Sequence, residues 1–434
     1  MFTRLVTLLV ALLFVSCATV KYQENIADYR KQIAELEAKA RANPRDADAL
    51  RDLGVIYFQA RQYPQAKDYL KRASAVDAKD AKTLFYYGMT LESENNPQAA
   101  LAAYINYTDF SVLSPYRKLM EGRYRALTRD IIQQQLQGLL AQEQVLGDQD
   151  MSPATVAVFP LKYQGTDEKY SALGTGLSEM VIIDLGQVSA LRLVERIRIE
   201  ALLAELRFGQ TQKVDPATAP RLGKLLSAGR IVGGTYSVSP DEKMRLDVTS
   251  WDVLKKKFPE ATTQSDELGN LFTLEKDLVF GVIKEMGITL TRAEQEKIQR
   301  IPTKNLQAFL LYCVGLEKEG ARDFEAARVY YNQALSLDPG FNQAKAKADA
   351  AGALSLAGGG RDGALAAAYK IDPPVRPKAG PTKEDLVAKR LQHLGNSIGA
   401  PFYPGEDGRK SAEEAARAGA GISNLPSPPP PPER

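Results

Sequence analysis

Thr155-Val156-Ala157-Val158-Phe159-Pro160-Leu161 is a short apolar run rich in β-branched residues, the pattern of a buried strand. The period changes on its C-terminal side. Tyr170 to Gln187 carries apolar residues at helical spacing, Leu191 to Glu195 returns to strand, and Arg198 to Phe208 is helical again. A further helix, Ala219 to Ser227, precedes a strand over Arg230 to Val238. Arg245 to Val253 alternates and is expected to pair with that strand across Pro240-Asp241-Glu242. Ala261 to Leu268 reads as a last strand before a helix from Leu271 to Met286. The order β-α-β-α-α-β-β-β-α over 151–290 predicts a mixed sheet with helices packed on it.

Four segments of this span carry a resemblance. They are Val156-Ala157-Val158-Phe159-Pro160-Leu161, Leu173-Gly174-Thr175-Gly176-Leu177-Ser178-Glu179-Met180, Leu193-Val194-Glu195-Arg196, and Leu225-Leu226-Ser227-Ala228-Gly229-Arg230-Ile231-Val232-Gly233-Gly234. Together they resemble the CsgG family, which includes the lipoprotein of the curlin export pore and TolB-like amino-terminal domains. The resemblance implies a mixed α/β sandwich and a role in envelope assembly or secretion. It also implies that homo-oligomers can form through this domain. The pore members insert long amphipathic hairpins, each membrane strand needing about 9 to 11 alternating residues. Here the strand ending near Ser239 meets the one starting near Lys243 through a tight turn. Leu254 to Thr263 contains Lys255-Lys256-Lys257 and Pro259, which suits a solvated turn. A non-spanning relative of the pore is expected.

Repeats flank this domain. Leu50, Gly54, Tyr57, Ala66, Leu70 and Ala73 recur 34 residues later as Leu84, Gly88, Leu91, Ala100, Tyr104 and Tyr107. Leu311, Gly315, Ala327, Tyr331, Ala334 and Pro339 keep the same internal spacings far downstream. These are similar to tetratricopeptide repeats, in which small residues let two helices approach and an aromatic fills the gap to the next repeat. Ile26, Tyr29, Ile33, Leu36 and Ala40 predict an amphipathic helix that caps the array. Tyr116 to Gln144 is expected to be a helix with Met120, Tyr124, Leu127, Ile131 and Leu139 on one face. Such an array presents a groove for an extended peptide or a helix of another envelope protein. The rival expectation is that so few repeats pack only against the adjoining domain.

The first residues set the compartment. Met1-Phe2-Thr3-Arg4 is basic, Leu5 to Val15 is apolar apart from Thr7, and Ser16-Cys17 follows. The run is too short for a spanning helix of about 20 residues and fits a cleaved export signal. Phe14-Val15-Ser16-Cys17 resembles the bacterial lipoprotein processing box, which implies an acylated Cys17 as the membrane anchor. Ala18-Thr19 follows where that family places Asp for inner-membrane retention, so the resemblance implies the periplasmic face of the outer membrane. Each buried methylene contributes about 0.8 kcal/mol, so several acyl chains hold where one does not.

Lys plus Arg number 56 against 53 Asp plus Glu, and this balance favours neither nucleic acid nor an acidic substrate. With Cys17 acylated, Cys313 is left alone in an apolar stretch, read as a small buried hydrophobe. The single His393 has no partner for a metal site and reads as a solvated tail residue. Gly174-Thr175-Gly176 lacks the flanking residues of a phosphate loop and reads as a tight turn with close helix packing. Glu179, Asp184 and Glu195 are expected on exposed positions, with no paired base. No catalytic residue, cofactor or metal is expected, and the protein is read as a non-enzyme. A regulator that binds a small ligand is the weakest alternative. From Ala357 the chain runs into glycines, alanines and a terminal proline run, a tail expected to be disordered and unable to bury a core.

The sequence thus divides into a signal segment 1–16 and an anchored repeat region 17–148. Its repeats lie at about 47–80 and 81–114, with flanking helices 24–42 and 116–144. The α/β domain follows at 151–290, then a C-terminal repeat region 303–356 with its repeat at about 308–341, and the tail 357–434. The fold expected is α/β plus all-α.

Overall fold

The strand Ala228–Val238 (β4) is the axis of a six-stranded sheet. It pairs in parallel with Ser152–Val158 (β1) and Lys162–Tyr163 (β2), and antiparallel with Lys243–Asp252 (β5). Arg192–Leu193 (β3) and Thr262–Glu267 (β6) complete the order β3-β1-β4-β5-β6, with β2 beside β4. The β4–β5 hairpin keeps its register from Arg230 opposite Asp252 to Val238 opposite Met244. It turns over Ser239 to Glu242, where Glu242 takes φ +56° and the Ser239 N–H donates to Lys243 O at 2.9 Å. The computed structural model describes residues 26–206, 215, 217–257, 259, 261–357 and 360–373. Cys17, His393 and the proline run fall outside them, as do the helix starts and ends expected at Glu24 and Phe208.

Side-chain alternation along these strands serves two cores. Val156, Val158, Val232, Tyr236, Met244 and Leu246 face helices Leu173–Leu185 (α7) and Leu271–Glu285 (α10). Ala157, Phe159, Ile231 and Trp251 face Arg196–Glu205 (α8) and Ala219–Leu226 (α9). The same second core takes in Ile132 and Leu136 from the long helix Pro115–Ala141 (α6).

Before α6, Arg30–Ala42 (α1) leads into two helical hairpins, Ala47–Gln59 with Tyr63–Val76 (α2, α3) and Ala81–Ser93 with Pro97–Tyr104 (α4, α5). Asp46 and Asp80 cap α2 and α4 by accepting from Ala49 N at 2.9 Å and Lys82 N at 3.0 Å. A third hairpin, Leu306–Gly320 with Phe324–Leu337 (α12, α13), follows the short helix Arg292–Ile298 (α11). Each hairpin turns on one left-handed residue at the equivalent place, Arg61, Asn95 and Arg322, with φ of 59, 59 and 62°. Asn342–Ala357 (α14) and Arg361–Ile371 (α15) end the described chain.

Two expectations change here. α6 has no single buried face: Leu119, Met120, Leu127, Ile132 and Leu136 are buried, while Tyr124, Ile131 and Leu139 are only half-buried. Its successive turns meet different neighbours, α4 and α5 first, then α14, then α8 and α9. The start of the supposed tail also buries a core. Ala357, Ala364 and Ala368 are fully buried in the core that α6 shares with the N-terminal hairpins. Methyl groups give no periodic signal of large apolar residues, which is why composition hid this helix.

Candidate functional site

The hairpins are built around glycines that sit directly beneath a large side chain of the second helix. A Cβ on Gly54 would lie 2.4 Å from Leu70 Cγ, one on Gly88 2.2 Å from Tyr104, and one on Gly315 2.5 Å from Tyr331. Ala66, Ala100, Ala327, Ala73 and Ala334 are buried along the second helices, as are Leu70, Tyr104 and Tyr331, while Leu50 is buried on α2. Tyr57, Leu84 and Leu311 are half-buried, and Pro339 is exposed. Tyr57 stacks on Tyr69 at 5.5 Å.

The second and third hairpins share a further pair. Tyr104 donates to Glu92 at 3.0 Å and Tyr331 to Glu319 at 2.7 Å, each tyrosine opposite the glycine one turn before its glutamate. Both glutamates take an arginine from α6. Arg123 Nε donates to Glu92 at 3.0 Å, and Arg129 Nη2 donates to Glu319 at 2.9 Å. Two equivalent hairpins therefore hold the same long helix by the same chemistry.

Around Glu319 the contact widens into a network. Arg196 reaches Glu179 at 3.1 Å and Glu319 at 3.0 Å, and also pairs with Glu200. Lys347 lies 3.3 Å from Glu179 and 3.5 Å from Glu319. Three cations, Arg129, Arg196 and Lys347, thus meet three carboxylates, Glu179, Glu200 and Glu319, drawn from α6, α7, α8, α12 and α14. Burial works to raise the Glu319 carboxyl, but Lys347, Arg196, the Tyr331 hydroxyl and Arg129 outweigh it and hold the group at about 2. Glu200 is instead pushed up, by burial first. The network floors a cleft of about 560 Å³ with Tyr124, Ile183, Ile197 and Ala350 among its walls. Its ionic groups are matched to one another, so the arrangement fixes α14 and the third hairpin onto the sheet domain.

A second ionic group lies inside the sheet core. Lys276 pairs with Asp184 and stands 3.2 Å from Glu275, which is fully buried and whose carboxylate oxygens have no hydrogen-bond partner. Burial and the adjacent Asp184 push Glu275 up to about 8. A carboxyl raised on folding contributes most below its unfolded value and loses that contribution as pH climbs to the folded one. Glu275→Gln is therefore expected to flatten the pH dependence of stability and to gain on the order of 2 kcal/mol over the parent at pH 8. Urea midpoints at pH 5 and pH 8 measure it, and parallel curves for the two proteins would show that Glu275 stays ionised.

Glu179 and Asp184 thus correct the expectation of an exposed helix face, since both are buried and paired, while Glu195 is exposed. The signal was present in α7. Leu177, Met180, Val181 and Leu185 surround both carboxylates with apolar residues, and a helix that is apolar all round must pair any charge it holds. Arg196 and Glu200, one turn apart, marked the other half. At Gly174-Thr175-Gly176, a Cβ on Gly174 would lie 2.0 Å from Leu161 O and one on Gly176 2.1 Å from Cys313 Sγ. The Gly174 N–H donates to the Tyr236 hydroxyl at 3.0 Å, so the helix start is filled by protein groups. Cys313 is buried there, and burial raises its thiol. Lys255 to Lys257 form an exposed turn at the end of β5. Among the described residues no group of three His, Cys, Asp or Glu is placed to hold a metal.

The first part of the sheet, with the helices α7, α8 and α9, is similar to a known family. Residues 134–238 match the family described as curli production assembly/transport component CsgG. The chain carries a CsgG-family domain. The match begins inside α6, whose last turns cover the sheet through Leu136, and it ends with β4. β5 and β6 lie beyond the match and complete the sheet, and α10, also beyond it, packs on that sheet. No curated protein matches the chain. Among the described residues no helix is long and apolar enough to cross a membrane.

Proposed function

We propose that the chain is a lipid-anchored periplasmic scaffold at the outer membrane, serving envelope assembly or secretion. Its hairpins are read as tetratricopeptide repeats that bind other envelope proteins, and Cys17 as the acylated anchor. The mechanism is tethering. One observation carries the reading: α6 runs unbroken from the core of the N-terminal hairpins into the CsgG-family domain, so a partner held by one is fixed in position relative to the other. The paired state of Glu179, Glu200 and Glu319 supports a structural role for that network, and no catalytic residue, cofactor or nucleic-acid partner is assigned.

Cys17→Ser is expected to lose the acyl anchor and move the protein out of the membrane fraction with its fold intact. Retention after a high-salt wash would remove the lipoprotein reading. A second reading, a non-spanning ring built through the CsgG-family domain, draws support from β6, an edge strand whose last residues are exposed and which no strand among the described residues covers. Light scattering of the chain from residue 18 separates the two. A monomer or dimer fits the scaffold, and a uniform assembly of about eight or more subunits fits the ring.

A further inference from the structure

The aromatic core that the N-terminal hairpins share with α6 is bordered by this chain's own last described helix, which packs on α6 and α14 and reaches α4 at its end. Val55, Phe58, Phe85, Tyr86 and Met89, from the first helices of the two hairpins, form one core with Tyr116 and Met120 of α6 and with Ala364 and Ala368 of α15. The cover is thin. Of the 11 residues of α15 only Ala364 and Ala368 are fully buried, and Arg361, Asp362, Ala366, Lys370 and Ile371 are exposed. Beyond its end, Asp372 pairs with Lys82 of α4 and accepts from the Tyr116 hydroxyl at 3.5 Å. The helix is joined to α14 through Gly358-Gly359-Gly360, and Gly360 takes φ +123°.

We propose that α15 is a placeholder on this face. The partner that displaces it is a helix with small side chains one turn apart and an acidic group just past its C-terminus. The buried core that α15 borders holds Phe58, Phe85, Tyr86, Tyr116, Met89 and Met120, the composition that interface cores favour. A row of methyl groups lets a helix axis approach it closely, and Lys82 with Tyr116 selects a carboxylate at the end. A helix as short as α15 is marginal by itself in water, so it holds its place only through these contacts and its packing on α14. The proposal deepens the scaffold reading and rests on it.

The probe is a synthetic peptide of residues 360–373 with a fluorescent label, titrated into the full chain. The parent chain is expected to bind it weakly, because its own α15 competes. Asp372→Lys sets like charge against Lys82 and should strengthen peptide binding by about tenfold or more, the factor by which the competent state is enriched. Adding Lys82→Glu restores the internal pair with reversed sign and should exclude the peptide again. Equal binding to all three chains, or binding to none, overturns the proposal. Hydrogen exchange on the unmodified chain tests it without any variant: amides of α15 should exchange faster than those of α14, and equal protection sinks the placeholder. A chain that takes the peptide yet enriches no envelope protein from solubilised membranes would refute the scaffold reading alone.

Discussion

Glu319→Ala is expected to destabilise the protein by about 3 to 5 kcal/mol, the range for removing one partner from a buried ionic group. The side chains of Glu319 and Arg196 are only 10% and 11% exposed, so water screens the remaining charges poorly. Without Glu319, the cations Arg129, Arg196 and Lys347 face only Glu179 and Glu200, and Tyr331 loses its acceptor. Glu319→Gln keeps the shape and removes the charge, and should cost less. The pH dependence has a definite sign. A carboxyl lowered to about 2 in the folded state contributes its full stabilisation above the ordinary carboxylate range and loses it as pH falls towards 2. Acid titration of the parent should therefore show a loss of stability that Glu319→Gln lacks. Hydrogen exchange localises the effect, with the third hairpin and α14 losing protection before β4 and β5. A melting curve within about 1 kcal/mol of the parent at pH 7 would mean that the network contributes no latch.

The parallel at Glu92 sharpens this expectation. Arg123 and Glu92 are buried to a similar degree, with side chains 3% and 6% exposed, and Tyr104 stands where Tyr331 does in the third hairpin. The first hairpin has Phe58 at the position of the glutamate and Leu70 at that of the tyrosine, and it makes no ionic contact of this kind. The ionic pair thus accompanies the two hairpins that touch α6 through this face, which is what a helix-holding role requires.

How far the sequence carried the fold can be judged element by element. β4 and β5 were legible because alternation over Arg230 to Val238 and Arg245 to Val253 needs no knowledge of the partner, and the strands pair across the expected turn. The glycines at 54, 88 and 315 were legible for the same reason, since a fixed spacing survives without coordinates. α6 was misread because its environment changes from hairpin to sheet along its length, so no one period describes it. The carboxylates of α7 were misread because a charge inside an apolar run reads as exposed until the cation, here Lys276 or Arg196, is seen to arrive from a distant segment. Apart from Arg196 and Glu200, one turn apart on α8, the site residues brought together from α6, α7, α8, α12 and α14 share no local motif. Only the fold makes them neighbours.

Gly122→Val gives the clearest test of how the parts are joined. A Cβ at this position of α6 would stand 2.1 Å from Ala353 O and 2.7 Å from Ala357 Cβ, both on α14. The first of these is a backbone atom that no rotamer change can move. α6 and α14 must separate, and with α14 goes Lys347, which joins Glu179 and Glu319. Overpacking commonly costs about 1 to 3 kcal/mol, and a backbone clash between two helices should reach or exceed the upper end. Gly138 is the internal control. It lies on the same helix, and a Cβ added there would meet nothing within 4 Å. At that position, replacement by Ala should stabilise by roughly 0.5 to 1 kcal/mol through helix propensity alone. The two substitutions are thus expected to shift the denaturation midpoint in opposite directions, and Gly122→Val should in addition strip exchange protection from α14 while leaving the β4–β5 hairpin protected. If both glycine variants shift the midpoint alike, α6 and α14 are not in the close contact that places the third hairpin against the CsgG-family domain.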